Sequence, residues 1–202
     1  MDKNGFIKLL KKAWHFIWEE DSIASWIVNI ILAFVLIKFL VYPGLGLVFG
    51  TKFPIVAVVS GSMEHDSNFN SWWESQKQFY LDRNITEKEF SGFNFKNGFN
   101  KGDLMVLFGI LPEKIKIGDI IVFRAGRPDP IIHRVIEKQP NDSNYIFQTK
   151  GDHNQYQIKS IWLDETNVSE QQIVGKSVLR IPYLGWVKII FVDLLTAVGL
   201  VR

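Results

Sequence analysis

Ile55-Val56-Ala57-Val58-Val59-Ser60-Gly61-Ser62-Met63-Glu64 joins an apolar, β-branched run to a turn of small residues. The run suits a strand, and the serines and glycine that close it suit a tight turn at the strand's end. A serine held on such a turn is presented as a nucleophile needs to be. Small residues also fill ordinary turns, so the weight of this motif depends on its surroundings.

Downstream, strand signals recur. Leu104 to Phe108, Ile120 to Phe123, Ile131 to Ile136, Tyr145 to Thr149 and Ile173 to Ile181 are short runs rich in β-branched and aromatic residues. Turn formers such as Lys101-Gly102-Asp103, Gly118-Asp119, Arg127-Pro128-Asp129 and Pro140-Asn141-Asp142 separate them. That rhythm predicts a mainly β protein with a compact antiparallel domain, a sandwich or barrel. Residues 66–100 break the rhythm: they are polar but dense in aromatics (Trp72, Trp73, Phe79, Tyr80, Phe90, Phe93), with a short helix expected at Thr86 to Glu89. They read as an insertion whose aromatics either dock on a membrane interface or form a small core of their own.

Upstream, Ile23 to Tyr42 is almost wholly apolar and, as a helix, about 30 Å long, the thickness of a bilayer's hydrocarbon core. Asn29 needs one partner, and Lys38 sits near an end where it can snorkel. Pro43 and nearby glycines are expected to end this helix. Lys3, Lys8, Lys11 and Lys12 precede the span, so the positive-inside bias puts residues 1–22, an amphipathic segment, in the cytoplasm. The run is too long for a signal-peptide core and no A-x-A site follows it, which favours an uncleaved anchor. The organisation expected is then a transmembrane anchor at 23–42, an extracytoplasmic β domain at 43–182 and a membrane-associated apolar helix at 183–202. Lys188 and Asp193 argue against a second crossing by that last segment. The sequons at Asn84, Asn141 and Asn167 all fall on the outer side.

The 202 residues carry a formal net charge of +2, which gives no basic field for nucleic acid. There is no cysteine, so disulfides, thiol catalysis and cysteine-bound zinc are excluded. The four histidines fit no metal-ligand spacing, and neither a metal nor any other cofactor is expected.

A serine hydroxyl becomes nucleophilic when a base takes its proton, and that base needs an orienting partner. His133, in Ile131-Ile132-His133-Arg134-Val135-Ile136, is the best base available. Asp152, in Lys150-Gly151-Asp152, closes a strand-like run and is the candidate orienter. A serine–lysine dyad using Lys150 or Lys116 is the rival arrangement, and it requires an apolar pocket around the amine. Neither lysine has apolar cover from its strand neighbours.

Taken in order, Ser60-Gly61-Ser62-Met63-Glu64, Gly118-Asp119-Ile120-Ile121-Val122-Phe123-Arg124, Ile132-His133-Arg134-Val135, Thr149-Lys150-Gly151-Asp152 and Ile173-Val174-Gly175-Lys176 resemble signal peptidase I. The likeness spans roughly residues 54–183 apart from the insertion. It is to the archaeal and endoplasmic-reticulum branch, where histidine replaces the bacterial catalytic lysine. The resemblance implies a membrane-bound serine endopeptidase that cleaves signal peptides from exported preproteins. By it, Ser62 is the nucleophile, His133 the base and Asp152 the carboxylate, while the Ser62 N–H and the Ser60 hydroxyl form the oxyanion hole. It also implies a single-pass protein of the plasma or endoplasmic-reticulum membrane, acting alone or with other membrane subunits or the translocon.

Three features depart from the pattern. His65 stands where the family usually has proline, the insertion is long, and the second aspartate expected six residues after the first is Ile158. Asp164 is the alternative acid. These departures keep a non-catalytic, membrane-tethered β domain as the competing expectation.

Overall fold

A computed structural model of the chain describes residues 3–142 and 144–199. Ser143, which completes the sequon at Asn141, and residues 200–202 of the expected C-terminal helix lie outside the described residues. The chain divides into two units, Met1–Val48 and Phe49–Arg202.

In the first unit, α1 (Lys3–Trp18) buries none of its residues and exposes Phe6, Leu9, Leu10 and Trp14. Ser22 caps the next helix, α2 (Ile23–Phe49), by accepting from Ser25 N–H at 3.1 Å. Asn29 finds its partner on α1, donating to the Ile17 carbonyl at 2.8 Å. The expectation that Pro43 ends this helix fails. A π-helical turn over Ile37–Val41, in which Tyr42 N–H reaches back to Ile37 O, absorbs the proline's missing donor, and the helix runs on to Phe49. Its 27 residues have a mean hydropathy of 2.4 in their most apolar stretch, and among the described residues no other helix is long and apolar enough to span a bilayer.

The second unit is one seven-stranded antiparallel sheet: β1 (Ile55–Ala57), β2 (Leu104–Phe108), β3 (Ile120–Phe123), β4 (Ile131–Asn141), β5 (Asn144–Lys150), β6 (Val168–Ser169) and β7 (Ile173–Ile181), in the order β1-β2-β7-β3-β4-β5-β6. The mainly β expectation therefore holds, with every strand in a single sheet. β3 is buried along its whole length because both of its faces meet a core. Ile120 and Val122 pack with Val58, Met63, Phe99 and Met105. Ile121 and Phe123 pack on the other face with Val135, Phe147, Leu163 and Val168.

The insertion forms α3 (Phe69–Leu81) and α4 (Glu87–Ser91). Asn68 caps α3, and Thr86 with Glu89 forms a reciprocal capping box on α4. Of the two readings of its aromatics, a core of their own prevails: Trp72, Trp73, Tyr80 and Phe90 are buried together and close over Ile136 of β4. The last helix, α5 (Trp186–Ala197), is about 18 Å long, too short to cross a bilayer, and exposes Val187, Ile190, Phe191 and Leu194.

Candidate active site

Strand β1 delivers the chain to Val58, which extends the pairing by hydrogen bonds to Asp103 O and from Gly102 N, each 2.8 Å. The chain then turns, with Glu64 N–H reaching Gly61 O at 3.0 Å. Met63, fully buried in the core, anchors this turn, and its neighbour Ser62 lies on the rim of a groove. There Ser62 Oγ lies 2.9 Å from His133 Nε2 and 3.2 Å from Ser60 Oγ.

His133, on β4, pairs with Ile121 of β3 and is 3% exposed. Its other ring nitrogen, Nδ1, lies 2.5 Å from Glu165 Oε1. Glu165 is fully buried and held from several sides. Its Oε2 accepts from Ile158 N–H at 2.6 Å, its Oε1 from the Thr149 hydroxyl at 3.3 Å, and its own N–H donates to Ile158 O at 2.9 Å. A carboxylate on Nδ1 keeps the proton there and leaves Nε2 free to accept from a serine hydroxyl. The row Ser62–His133–Glu165 has the connectivity that acyl transfer needs.

Two sequence expectations are corrected here. Asp152 does not touch His133. Its carboxylate accepts from Arg134 Nε (2.9 Å) and Nη2 (2.6 Å), from His65 Nε2 (3.2 Å) and from the Tyr80 hydroxyl (3.3 Å). Burial opposes its ionisation, but the Arg134 guanidinium outweighs burial and holds the carboxyl well below the usual carboxylate range. Neighbouring strand residues point to opposite faces, so the face that carries Arg134 is not the face of His133. Asp164, the alternative acid, turns outward and caps a local turn by accepting from Thr166 N–H (2.9 Å) and its hydroxyl (2.6 Å). Strand-like alternation carries a signal that was available from sequence: if Leu163 faces the core, Glu165 does too, and Asp164 does not.

Of the rival bases, Lys116 is exposed. Lys150 pairs with Arg134, and so lies on the face opposite His133, donating to Gln76 Oε1 (3.0 Å) and Gly151 O (3.2 Å). Contrary to the sequence reading it does have apolar cover, because the Phe79 and Tyr80 rings of the insertion each lie 5.0 Å from its amine. Burial pushes Lys150 down to about 8 against the pull of Asp152 and Glu165.

Gly151 lies immediately behind the Ser62–His133 pair. A Cβ there would fall 2.7 Å from Ser62 O and 2.9 Å from His133 Nε2. In front of the pair is the groove, about 380 Å³, walled by Ala57, Val59, Ile132 and the loop at Pro130, with the Ser60 and Ser62 hydroxyls and the imidazole opening into it. Its lining is mainly apolar.

No family model matches the chain. Among characterised proteins it is similar to the signal peptidase complex catalytic subunit SEC11C of Homo sapiens, 31% identical over 157 residues, covering 76% of this chain and 65% of that protein. It is also similar to the SEC11 catalytic subunits of Colletotrichum graminicola, at 29% identity over 75% of this chain and 72% of that one, and of Scheffersomyces stipitis, at 27% over 77% and 75%. The match thus spans just under two thirds of the mammalian relatives' length.

Proposed function

We propose that this homologue of the signal peptidase catalytic subunits is a membrane-anchored serine endopeptidase that removes N-terminal signal peptides from exported preproteins. The observation that carries the reading is the hydroxyl–imidazole–carboxylate row, 2.9 Å from Ser62 to His133 and 2.5 Å from His133 to Glu165. That row favours catalysis over a non-catalytic β domain.

In this reading His133 Nε2 takes the Ser62 proton as Oγ attacks the scissile carbonyl carbon. The resulting oxyanion is received by Ser62 N–H and the Ser60 hydroxyl, donors of a kind worth about 3 kcal/mol each in the transition state. The imidazolium then gives its proton to the departing amine as the C–N bond breaks. Water, deprotonated by the same imidazole, hydrolyses the acyl-enzyme and frees Ser62. Glu165 touches no reacting atom; it holds the tautomer and stabilises the imidazolium.

Topology supports the substrate. A signal peptide's apolar core lies in the bilayer, so its cleavage site emerges at the surface, where a domain that follows a membrane span can meet it. The cluster of N-terminal lysines argues for a cytoplasmic N-terminus, a single pass and an extracytoplasmic catalytic domain. The exposed apolar side chains of α5 suit a helix lying on the lipid surface. The relatives are named as subunits of a complex, and other membrane subunits are partners in this proposal.

The test is incubation of the full chain in proteoliposomes with a preprotein whose signal peptide ends in Ala-x-Ala, followed by N-terminal sequencing of the product. A single cut after the final alanine, lost in Ser62→Ala, is expected. Cleavage that persists in Ser62→Ala overturns the assignment.

A further inference from the structure

We propose that the insertion at 66–100 is a positioning brace for the nucleophile turn, acting through His65 and Asp152. The inference rests on the peptidase reading above but draws on different contacts.

The insertion's hydrogen bonds converge on the backbone around the site. Trp72 Nε1–H donates to Asp152 O at 3.1 Å, and the Tyr80 hydroxyl donates to Asp152 Oδ1 at 3.3 Å. Phe99 N–H donates to Met63 O at 3.0 Å, directly beside Ser62. Asn94 O and Phe95 O accept from Arg134, the residue next to His133, at 3.0 and 2.9 Å. The Phe90 ring lies 4.6 Å from that guanidinium. A docking module hung on a loop has no need to grip β4 and both turns beside the reacting pair.

His65 joins the insertion to the turn. Its ring stacks on Trp72 with centroids 3.7 Å apart and planes within 5°, while Nε2–H donates to Asp152 Oδ2. Its side chain is 1% exposed, and its Nδ1 finds no partner among the described residues. An imidazole buried with one nitrogen unmatched carries a desolvation cost that a plain apolar side chain would avoid. The bond to Asp152 offsets that cost. Asp152 in turn fixes Met63, donating its N–H to Met63 Sδ at 3.3 Å, and its neighbour His153 donates N–H to Ser62 O at 2.9 Å. The resulting path is Trp72–His65–Asp152–Met63, ending one residue from the nucleophile. Gly98, at φ 65°, admits this packing, since a Cβ there would sit 2.3 Å from Met63 O and 2.6 Å from the His65 ring.

Positioning has a kinetic mark that docking lacks. A misplaced nucleophile lowers kcat, by up to about 10²-fold for a shift near 1 Å, and leaves KM alone. The experiment compares His65→Phe, which keeps a ring against Trp72 but loses the donor, with His65→Gln, which keeps a donor. Tyr80→Phe is the mildest cut, removing one hydroxyl. Each full-length variant is assayed for preprotein cleavage and for amide hydrogen exchange at Phe99 and His153, the donors to Met63 and Ser62.

The expected result is a kcat about 10- to 100-fold lower in His65→Phe, with KM within about twofold, and substantial recovery in His65→Gln. Faster exchange at Phe99 and His153, with β3 amides unchanged, should accompany the loss, and Tyr80→Phe should shift both readouts in the same direction by less. Unchanged exchange and kcat in both His65→Phe and Tyr80→Phe overturn the brace. A loss confined to KM also overturns it, by making the insertion a substrate contact. If the wild-type chain cuts no preprotein, the peptidase reading fails, and exchange at the two amides still decides whether the brace exists.

Discussion

His133 and Glu165 meet at 2.5 Å between Nδ1 and Oε1, and both side chains are closed off from solvent. The carboxylate comes from a segment that pairs back on Ile158, so the acid stands across an antiparallel contact from the position where the resemblance led us to expect an aspartate. In the proposed mechanism Glu165 is the carboxylate that orients His133, and Ile158 offers it only backbone groups.

Glu165→Gln tests this most directly. The amide keeps the volume but, by donating toward His133, favours the wrong tautomer. Preprotein cleavage should fall by about 10⁴ in kcat, the loss that such a carboxylate-to-amide change causes in a serine triad. Glu165→Asp should retain part of the activity. Near-wild-type turnover in Glu165→Gln removes the residue from the mechanism.

Asp152→Asn should behave differently, as a stability defect. Arg134 is fully buried and places all five of its N–H groups, two of them on Asp152. Removing the carboxylate charge leaves that cation unmatched, which costs about 3–5 kcal/mol in comparable buried pairs. The native carboxyl is held below its unfolded value of about 3.9, so its stabilisation is complete above that pH and drains away as pH falls further. Acid unfolding followed by circular dichroism should therefore have a shallower dependence on pH below about 4 in Asp152→Asn than in wild type. Equal slopes would show that the pair does not couple folding to pH.

Gly151→Ala should leave the sheet intact and disable the site. The added methyl meets Ser62 O, Asn154 Nδ2 and His133 Nε2 inside 3 Å, so the groups around the reacting pair must shift to admit it. Cleavage should drop by about 10²-fold or more while the melting temperature changes by only a few degrees. Unimpaired cleavage would mean that the Ser62–His133 contact tolerates displacement.

How much of this was legible in the sequence varies by element. Leu104–Phe108, Ile120–Phe123 and Ile173–Ile181 have the limits that their β-branched runs and flanking turn formers suggest, because those signals are local. Ser62 and His133 lie together, yet their 2.9 Å contact depends on strand order, which no local pattern encodes. Asp152 escapes a local reading for the same reason: the register that sets Arg134 opposite Lys150 turns it toward the insertion's side of the sheet, where it meets Arg134, His65 and Tyr80. The end of α2 was misjudged because a π-helical turn makes room for Pro43, a compensation invisible to propensity. The insertion's aromatics announced a cluster but not what it would cover.

Lys150 supplies the last prediction. The amine is buried opposite Arg134, and its pKa is about 8, below its ordinary value of 10.5, with burial the dominant cause. The folded state therefore disfavours the charged form more than the unfolded chain does. Stability from this group is least below pH 8, rises as the folded amine loses its proton, and levels off once the unfolded lysine also titrates, near pH 10.4. Lys150→Met removes that dependence. Denaturant melts between pH 7 and 10 should show the wild-type chain gaining stability relative to the variant, with parallel curves counting against a neutralised amine. Cleavage by Lys150→Met should stay within a few-fold of wild type, since the base proposed for Ser62 is His133, 2.9 Å from its hydroxyl. A loss of several orders of magnitude would instead revive the serine–lysine dyad.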